Sequence, residues 1–319
     1  MENDNKNTNC LITMSANERI EAGKKAPRRK MLFDEFWHEG ETCVLFARTG
    51  NGKSILGTQI ANSIAEGVPI EGFQLKVEAQ KVLYCDFETD NSLFKDRYSN
   101  ESGDSFNFSE NLKVSELDLL ANATEGITAE EQILLSIKAE LNKWPAKVLV
   151  IDNITAIADD MLKAPDVKKL TNKLKSIKAE YKLSMLVLAH TRKHDDDSKP
   201  INLSDMFGSS LLGNFCDSAF AIGKSVTDES IRYIIQQKQR RTEKKYGKNN
   251  VIVCRLEKPD THVKFTFIRT DKESVLLHND AKSKCSDAGK KASSNLTDDE
   301  RHERAVGAAA ARWGSPSIW

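Results

Sequence analysis

The chain has 319 residues, 39% of them hydrophobic, which allows a sizeable buried core in one large domain or two small ones. Lys+Arg and Asp+Glu each number 47, so no global field would hold a polyanion and any such site must be local. The six cysteines, at 10, 43, 85, 216, 254 and 285, lack zinc or redox-pair spacing, no apolar run approaches the roughly 20 residues of a membrane span, and the polar start MENDNKNTNC has no signal-peptide pattern. A cytoplasmic protein with reduced thiols and no membrane partner is expected.

Residues 1–30 are polar and end in the basic run Lys24-Lys25-Ala26-Pro27-Arg28-Arg29-Lys30, the composition of a flexible, solubilising arm. A domain is expected over 31–279. It opens with a short amphipathic helix (Leu32, Phe33, Phe36, Trp37), a strand at 42–47 and a helix from Ser54 to Glu66. Apolar runs at 81–86, 147–152, 184–189, 218–223 and 231–237 are apolar on both faces, which suits a parallel sheet covered by helices. Thr128 and Glu131 form a capping box for a helix to about Trp144, and Val167, Leu170, Leu174 and Ile177 make the apolar stripe of another. Lys258-Pro259-Asp260 marks the turn of a closing antiparallel hairpin, 250–256 with 262–269. Residues 280–319 read as a linker and a short helix near 298–312, with Thr297 and Glu300 as its cap. No internal repeat is present.

The first chemistry lies in VLFARTGNGKSIL. Ala47-Arg48-Thr49-Gly50-Asn51-Gly52-Lys53-Ser54, continuing to Ile55, has the spacing of a phosphate-binding loop, with alanine where the pattern usually begins with glycine. It follows a strand and opens a helix, the context that lets backbone amides and the helix N-terminus converge on phosphate. Lys53 is expected to reach the β- and γ-phosphates of ATP and Ser54 to ligate Mg2+. A glycine-rich turn that merely precedes Lys-Ser is the plainer alternative.

Asp152 ends the apolar run KVLVID, as a Walker B aspartate does, and is expected to hold Mg2+ through water. The residue after it is Asn153, so the base for hydrolysis must come from elsewhere. Glu88, just past the strand KVLYCD, is the first choice and Asp86 the second, because ligands sit beyond the carboxyl ends of parallel strands. His190 ends the run SMLVLA on the same sheet edge. His194 with Asp195, Asp196 and Asp197 invites a metal site, but nothing rigid is expected to fix those ligands, and a solvated loop is preferred.

Over about residues 31–270 these motifs resemble the RecA-like ATPases and, within them, the RepA-like hexameric replicative helicases of plasmids and mobile elements. The resemblance implies an α/β fold: a RecA-like P-loop NTPase core, mostly parallel sheet with helices on both faces and a C-terminal antiparallel hairpin. It implies Glu88 in YCDFETD as the catalytic glutamate and His190 in LVLAHTRK as γ-phosphate sensor, and PINLSDMFGSSLLGNFCDSAFAI is similar to the stretch that follows the sensor. Lys238 and Arg240 match the Lys-x-Arg pair that such ring proteins direct at a neighbouring subunit's nucleotide, a solvated basic hairpin tip being the alternative. A hexameric ring on single-stranded DNA follows, with DNA loops at about 153–165 and 191–208 and Arg192, Lys193 and Lys199 as phosphate contacts. A nucleotide-dependent switch or a recombination or repair ATPase without unwinding would carry nearly the same sequence. A small-molecule kinase would need an acceptor pocket and an arginine-rich lid, and neither is evident.

Overall fold

A computed structural model describes residues 11–118, 124–157, 164–192 and 198–278. The expected linker and helix over 280–319, with Cys10, Cys285, His194 and the Asp195–Asp197 run, lie outside the described residues.

Within the N-terminal arm, α1 (Ala16–Lys25) forms an exposed helix started by a capping box between Ser15 and Glu18. The helix expected over Leu32–Trp37 is instead a small hairpin of β1 (Met31–Phe33) and β2 (Trp37–His38). Its four apolar residues are all buried, so no polar face is left for a surface helix. Asp34 turns the chain at φ 40, its carboxylate accepting from the N–H of Glu35 at 2.7 Å and of Gln74 at 3.0 Å.

The elements that follow alternate strand and helix: β3 (Thr42–Ala47), α2 (Lys53–Glu66), β4 (Val82–Asp86), α3 (Asn91–Tyr98), β5 (Leu112–Ser115), α4 (Ala129–Lys143), β6 (Val148–Asp152), α5 (Ala164–Tyr181), β7 (Ser184–His190), α6 (Ser209–Phe215) and β8 (Ser218–Lys224). Then come β9 (Ile231–Gln239), β10 (Val251–Glu257), β11 (Lys264–Asp271) and α7 (Glu273–Leu277). Neither β5 nor α3 is visible in the sequence pattern, whereas the capping box of Thr128 and Glu131 forms as expected.

Among the described residues, one large sheet runs in the order β11-β10-β9-β8-β3-β7-β6-β4-β5. Strands β8 through β5 in this order are parallel, and β9 to β11 extend the sheet antiparallel. The 231–237 run is therefore not one of the parallel strands: only residues 225–230 join β8 to β9, too few for the crossover of a dozen or more residues that a parallel pair needs.

Residues alternate between two cores. Val44, Leu149 and Val187 face Leu134, Ile137, Leu170, Leu174 and Ile177 of α4 and α5. Leu45, Tyr84 and Leu188 face Leu56, Ile60 and Ile64 of α2 on the other side. Burial on both faces explains the unbroken apolar runs. Cys43, Cys85, Cys216 and Cys254 are buried and free, and burial pushes the Cys85 thiol up to about 12, so they pack as small hydrophobes.

After β3 the chain passes through α2 to β4 on one side, whereas β8 joins the other side of β3. The order thus reverses at β3, and ligands of open α/β sheets bind at such a point, beyond the carboxyl ends of the strands.

Candidate nucleotide site

Ala47 closes β3, pairing in register with His190 and Ile222, fully buried and outside the left-handed region. Its methyl belongs to the core, so the position needs no glycine. Gly50 at φ 79 and Gly52 at φ 89 do occupy the left-handed region. At Gly52 a Cβ would also lie 2.9 Å from the Phe265 ring. Phe265 is fixed there because its N–H and C=O bond Gln59 of α2 at 2.9 and 3.0 Å. The antiparallel extension of the sheet thus holds the loop from outside.

Gly52 is the N-cap of α2 and makes no side-chain cap bond, so the first amides of the helix point at the loop with no intrahelical acceptor. Asn51 is buried, and its Nδ2 donor lacks a partner. Orphaned donors around a helix N-terminus are the chemistry of an anion cradle.

Lys53 and Asp152 meet at this point. Lys53 Nζ lies 2.8 Å from Asp152 Oδ1, with the two side chains 6% and 0% exposed, so each is the other's compensating charge. The Tyr84 hydroxyl donates to Asp152 Oδ2 at 2.8 Å, which anchors the carboxylate from β4. A Cβ on Gly57 would stand 3.2 Å from that hydroxyl and 2.9 Å from Leu188, so the glycine leaves room for the tyrosine under α2. Burial, and next the Asp152 charge, push the Tyr84 phenol well up, and it stays a donor.

Beside this pair the ends of β4, β6 and β7 bring Glu88, Asn153 and His190 together. His190 Nε2 lies 3.1 Å from Glu88 Oε1 and 2.9 Å from Asn153 Nδ2, and Asn153 Nδ2 also donates to Glu88. The orientation of the amide follows from its other end: Asn153 Oδ1 accepts from the N–H of Thr155 at 2.8 Å and of Ala156 at 3.3 Å, which turns Nδ2 toward Glu88. The hydrogen bond to His190, assisted by the Lys53 charge, holds Glu88 below the usual carboxylate range against its partial burial.

Asp86 differs. Its Oδ1 accepts from the N–H of Glu88 at 3.1 Å and of Thr89 at 2.9 Å, so it shapes the turn that presents Glu88, while burial raises its pKa. Of the two carboxylates, Asp86 is bound to the turn amides, and Glu88 is the one that meets Asn153 and His190.

Lys238 and Arg240 stand elsewhere. β9 runs antiparallel to β8 and pairs Lys238 with Ala219, which puts both residues at the end of the sheet opposite Ala47 and Asp152. There Lys238 Nζ donates to the carbonyls of Gly213 and of Cys216, the latter at 2.8 Å, and Arg240 Nη2 to that of Asn214 at 2.9 Å. Within the chain they cap the carboxyl end of α6. Arg192 and Lys199 are exposed beyond β7, with Arg48 Nη2 3.5 Å from the Lys199 carbonyl, and Lys193 lies outside the described residues. Sequence reasoning missed Tyr84 and the bridging role of Asn153. Asn153 directly after the strand-terminal aspartate was the available signal.

The sequence model of the AAA domain matches residues 12–196, more than half of the chain and every residue of this site. The chain belongs to the AAA domain family. None of the curated proteins matches it. Its structure is similar to the crystal structure of a KaiC-like protein from the hyperthermophilic archaeon Pyrococcus horikoshii OT3, at 16% identity and a TM-score of 0.50, covering 72% of this chain and 90% of that one. The fold is RecA-like, and this AAA domain is a P-loop ATPase.

P-loop ATPases generally use ATP and Mg2+, and the residues of this AAA domain fit both. The amides after Gly52 and the orphaned Asn51 donor suit phosphate. Ser54, in the first turn of α2, would offer its hydroxyl to the ion beside phosphate and water. Asp152, bonded by Lys53 at one oxygen and Tyr84 at the other, would hold the ion through water. When bound, the ion would neutralise the charge that develops on the phosphates. No helix among the described residues is long and apolar enough to cross a membrane.

Proposed function

We propose that this ATPase is a ring-forming motor on single-stranded DNA, a RepA-like replicative helicase of a mobile element. The observation that carries the reading is the Glu88–Asn153–His190 cluster. It joins the carboxylate suited to activate water to the last residue of β7, directly ahead of residues 191–208. Loss of the γ-phosphate beside His190 would move that segment, where Arg192, Lys193 and Lys199 are the proposed DNA contacts.

Lys238 and Arg240 support a ring in one respect, since they stand too far around the sheet to serve their own loop and would act only on a neighbour's nucleotide. Their bonds to the end of α6 favour the second reading, a nucleotide-dependent switch or a recombination or repair ATPase that needs no finger. ATP hydrolysis measured with and without single-stranded DNA, mass in solution with nucleotide, and strand displacement on a forked duplex decide between them. Hydrolysis stimulated by DNA, a hexameric mass and displaced strand are expected. Stimulation without displacement supports a recombination or repair ATPase, and hydrolysis indifferent to DNA removes the motor and leaves the nucleotide-dependent switch.

A further inference from the structure

The amino-terminal edge of the parallel strands, opposite the nucleotide site, carries a cleft of about 550 Å³ lined by Lys30, Lys81, Lys147 and Lys182 together with Glu39 and Glu78. Lys81 and Lys147 precede the neighbouring strands β4 and β6, the Lys147 N–H donating to the Lys81 carbonyl at 2.9 Å. Lys182 lies two residues before β7, whose Ser184 N–H donates to the Lys147 carbonyl at 3.0 Å. Three lysines therefore start from the sheet edge in a row, with roughly 5 Å between successive strands. The Lys81 ammonium lies over the Trp144 ring, 4.0 Å from its centroid, so Lys147 and Lys182, with Lys30, are the cations that face the cleft most directly.

The four lysines outnumber the two carboxylates. Glu39 accepts from the Lys30 N–H at 3.1 Å and Gln80 Nε2 at 3.2 Å, and Glu78 is exposed. Among the described residues no carboxylate pairs with the ammonium of Lys30, Lys81, Lys147 or Lys182. The basic run 24–30 arrives at the same place: Arg29 Nη1 donates to the Glu39 carbonyl at 3.2 Å and packs on Gly40.

We propose that this cleft, with the basic run at its rim, is a second contact for single-stranded DNA, made to the phosphodiester backbone without nucleotide. A row of ammonium groups reads successive phosphates as point charges and carries no sequence information. A flexible single strand can bend its phosphates into a recess, whereas a duplex presents them on a rigid cylinder and a bilayer as a plane. No exposed large apolar residue lines the cleft to enter lipid. The contact lies at the opposite end of the sheet from Arg192 and depends neither on hydrolysis nor on a ring.

The test is fluorescence anisotropy of a labelled oligothymidylate with the full chain, without nucleotide, over a salt series. Lys147→Glu with Lys182→Glu is expected to weaken binding at least tenfold and to lower the salt slope by about 0.7 for each phosphate that the variant no longer neutralises. Hydrolysis without DNA stays at its wild-type rate, which shows the fold intact. Should that variant fail to fold, Lys147→Gln with Lys182→Gln decides, with a smaller loss in the same direction. Unchanged affinity and slope in the folded variant overturn the proposal, as does a loss confined to phosphatidylserine vesicles. Failure of the motor reading shows separately, as hydrolysis that DNA does not stimulate.

Discussion

At the carboxyl end of the parallel strands charge is buried and matched. Lys53 and Asp152 face each other in the interior with Tyr84 as a third partner, and Glu88, Asn153 and His190 form a bonded cluster beside them. At the amino end the cations stand on the surface: Lys147 and Lys182 are exposed, and Arg240 and Arg241 are about half exposed, even though Arg241 faces the buried Glu41. The difference teaches what substitution should do at each end. Removing a buried partner leaves its mate desolvated and alone, so stability and activity fall together. Removing a surface cation costs its own chain little, a solvated cap or ion pair at most, and changes mainly what it would have met outside.

The largest expected effect is at the buried pair. Lys53→Ala removes the phosphate contact and leaves Asp152 uncompensated, so ATP hydrolysis is abolished and stability falls by about 3–5 kcal/mol. From the sequence alone, a lysine pointing into a phosphate loop would be removable without harm to the fold. Its burial against Asp152 overturns that. Denaturant unfolding of Lys53→Ala and of Lys53→Ala with Asp152→Asn checks it. The double variant recovers stability and not activity, and equal stability of wild type and Lys53→Ala breaks the contrast between the two ends.

Arg240→Ala tests the other end. If Arg240 serves a neighbour, hydrolysis falls by about 10³–10⁵ while unfolding hardly moves. Mixing this variant with Lys53→Ala then restores activity, because some interfaces unite an intact loop with an intact finger. Subunit exchange, followed by mass on labelled proteins, without recovered hydrolysis leaves Arg240 as a cap on α6 alone.

Glu88→Gln is expected to keep ATP binding and slow hydrolysis by about 10²–10⁴-fold, since the amide cannot accept a proton from water. If Asp86→Asn gives that loss and Glu88→Gln none, the roles exchange. The lowered pKa of Glu88 adds a pH signature. The base works when deprotonated, so activity is lost as pH falls through its pKa. His190→Ala removes the bond that holds this value down, and the acid limb of kcat/KM moves to higher pH.

The runs that became β3, β4, β6, β7 and β8 were legible because burial on both faces erases alternation, and the phosphate loop because its spacing is itself the mechanism. The hairpin at Met31–His38 was not. Phe33, Phe36 and Trp37, at near-helical spacing, are all buried, Phe33 and Phe36 against the rings of Phe73, Phe220 and Tyr246, which lie farther along the chain. The cluster at Glu88 was half legible. Glu88 and His190 were marked by position at strand ends, yet that Asn153 joins them follows from β6 lying between β4 and β7, which no local pattern records. Tyr84 reads as one more aromatic in a strand until its hydroxyl is seen to face Asp152.

The smallest effect is expected at that hydroxyl, and it separates holding from reacting. Tyr84 is 1% exposed and packs beneath α2, so Tyr84→Phe keeps the ring in place and deletes the donor to Asp152 Oδ2 at 2.8 Å together with its longer contact, 3.5 Å, to the Ser54 carbonyl. Asp152 keeps Lys53 and is left without its second partner, which costs about 1–3 kcal/mol where no water can replace the donor. The carboxylate then has one fixed oxygen instead of two and can turn away from the ion it holds through water. Half-maximal hydrolysis should therefore need more Mg2+, while the rate at saturating Mg2+ falls by less than about tenfold, the equivalent of 1.4 kcal/mol. A magnesium titration of the ATPase beside an unfolding curve reads both. If stability drops and the titration does not move, Tyr84 is packing alone. If neither moves, the carboxyl end is less tightly built around Asp152 than its contacts imply, and the contrast with the open amino end weakens accordingly.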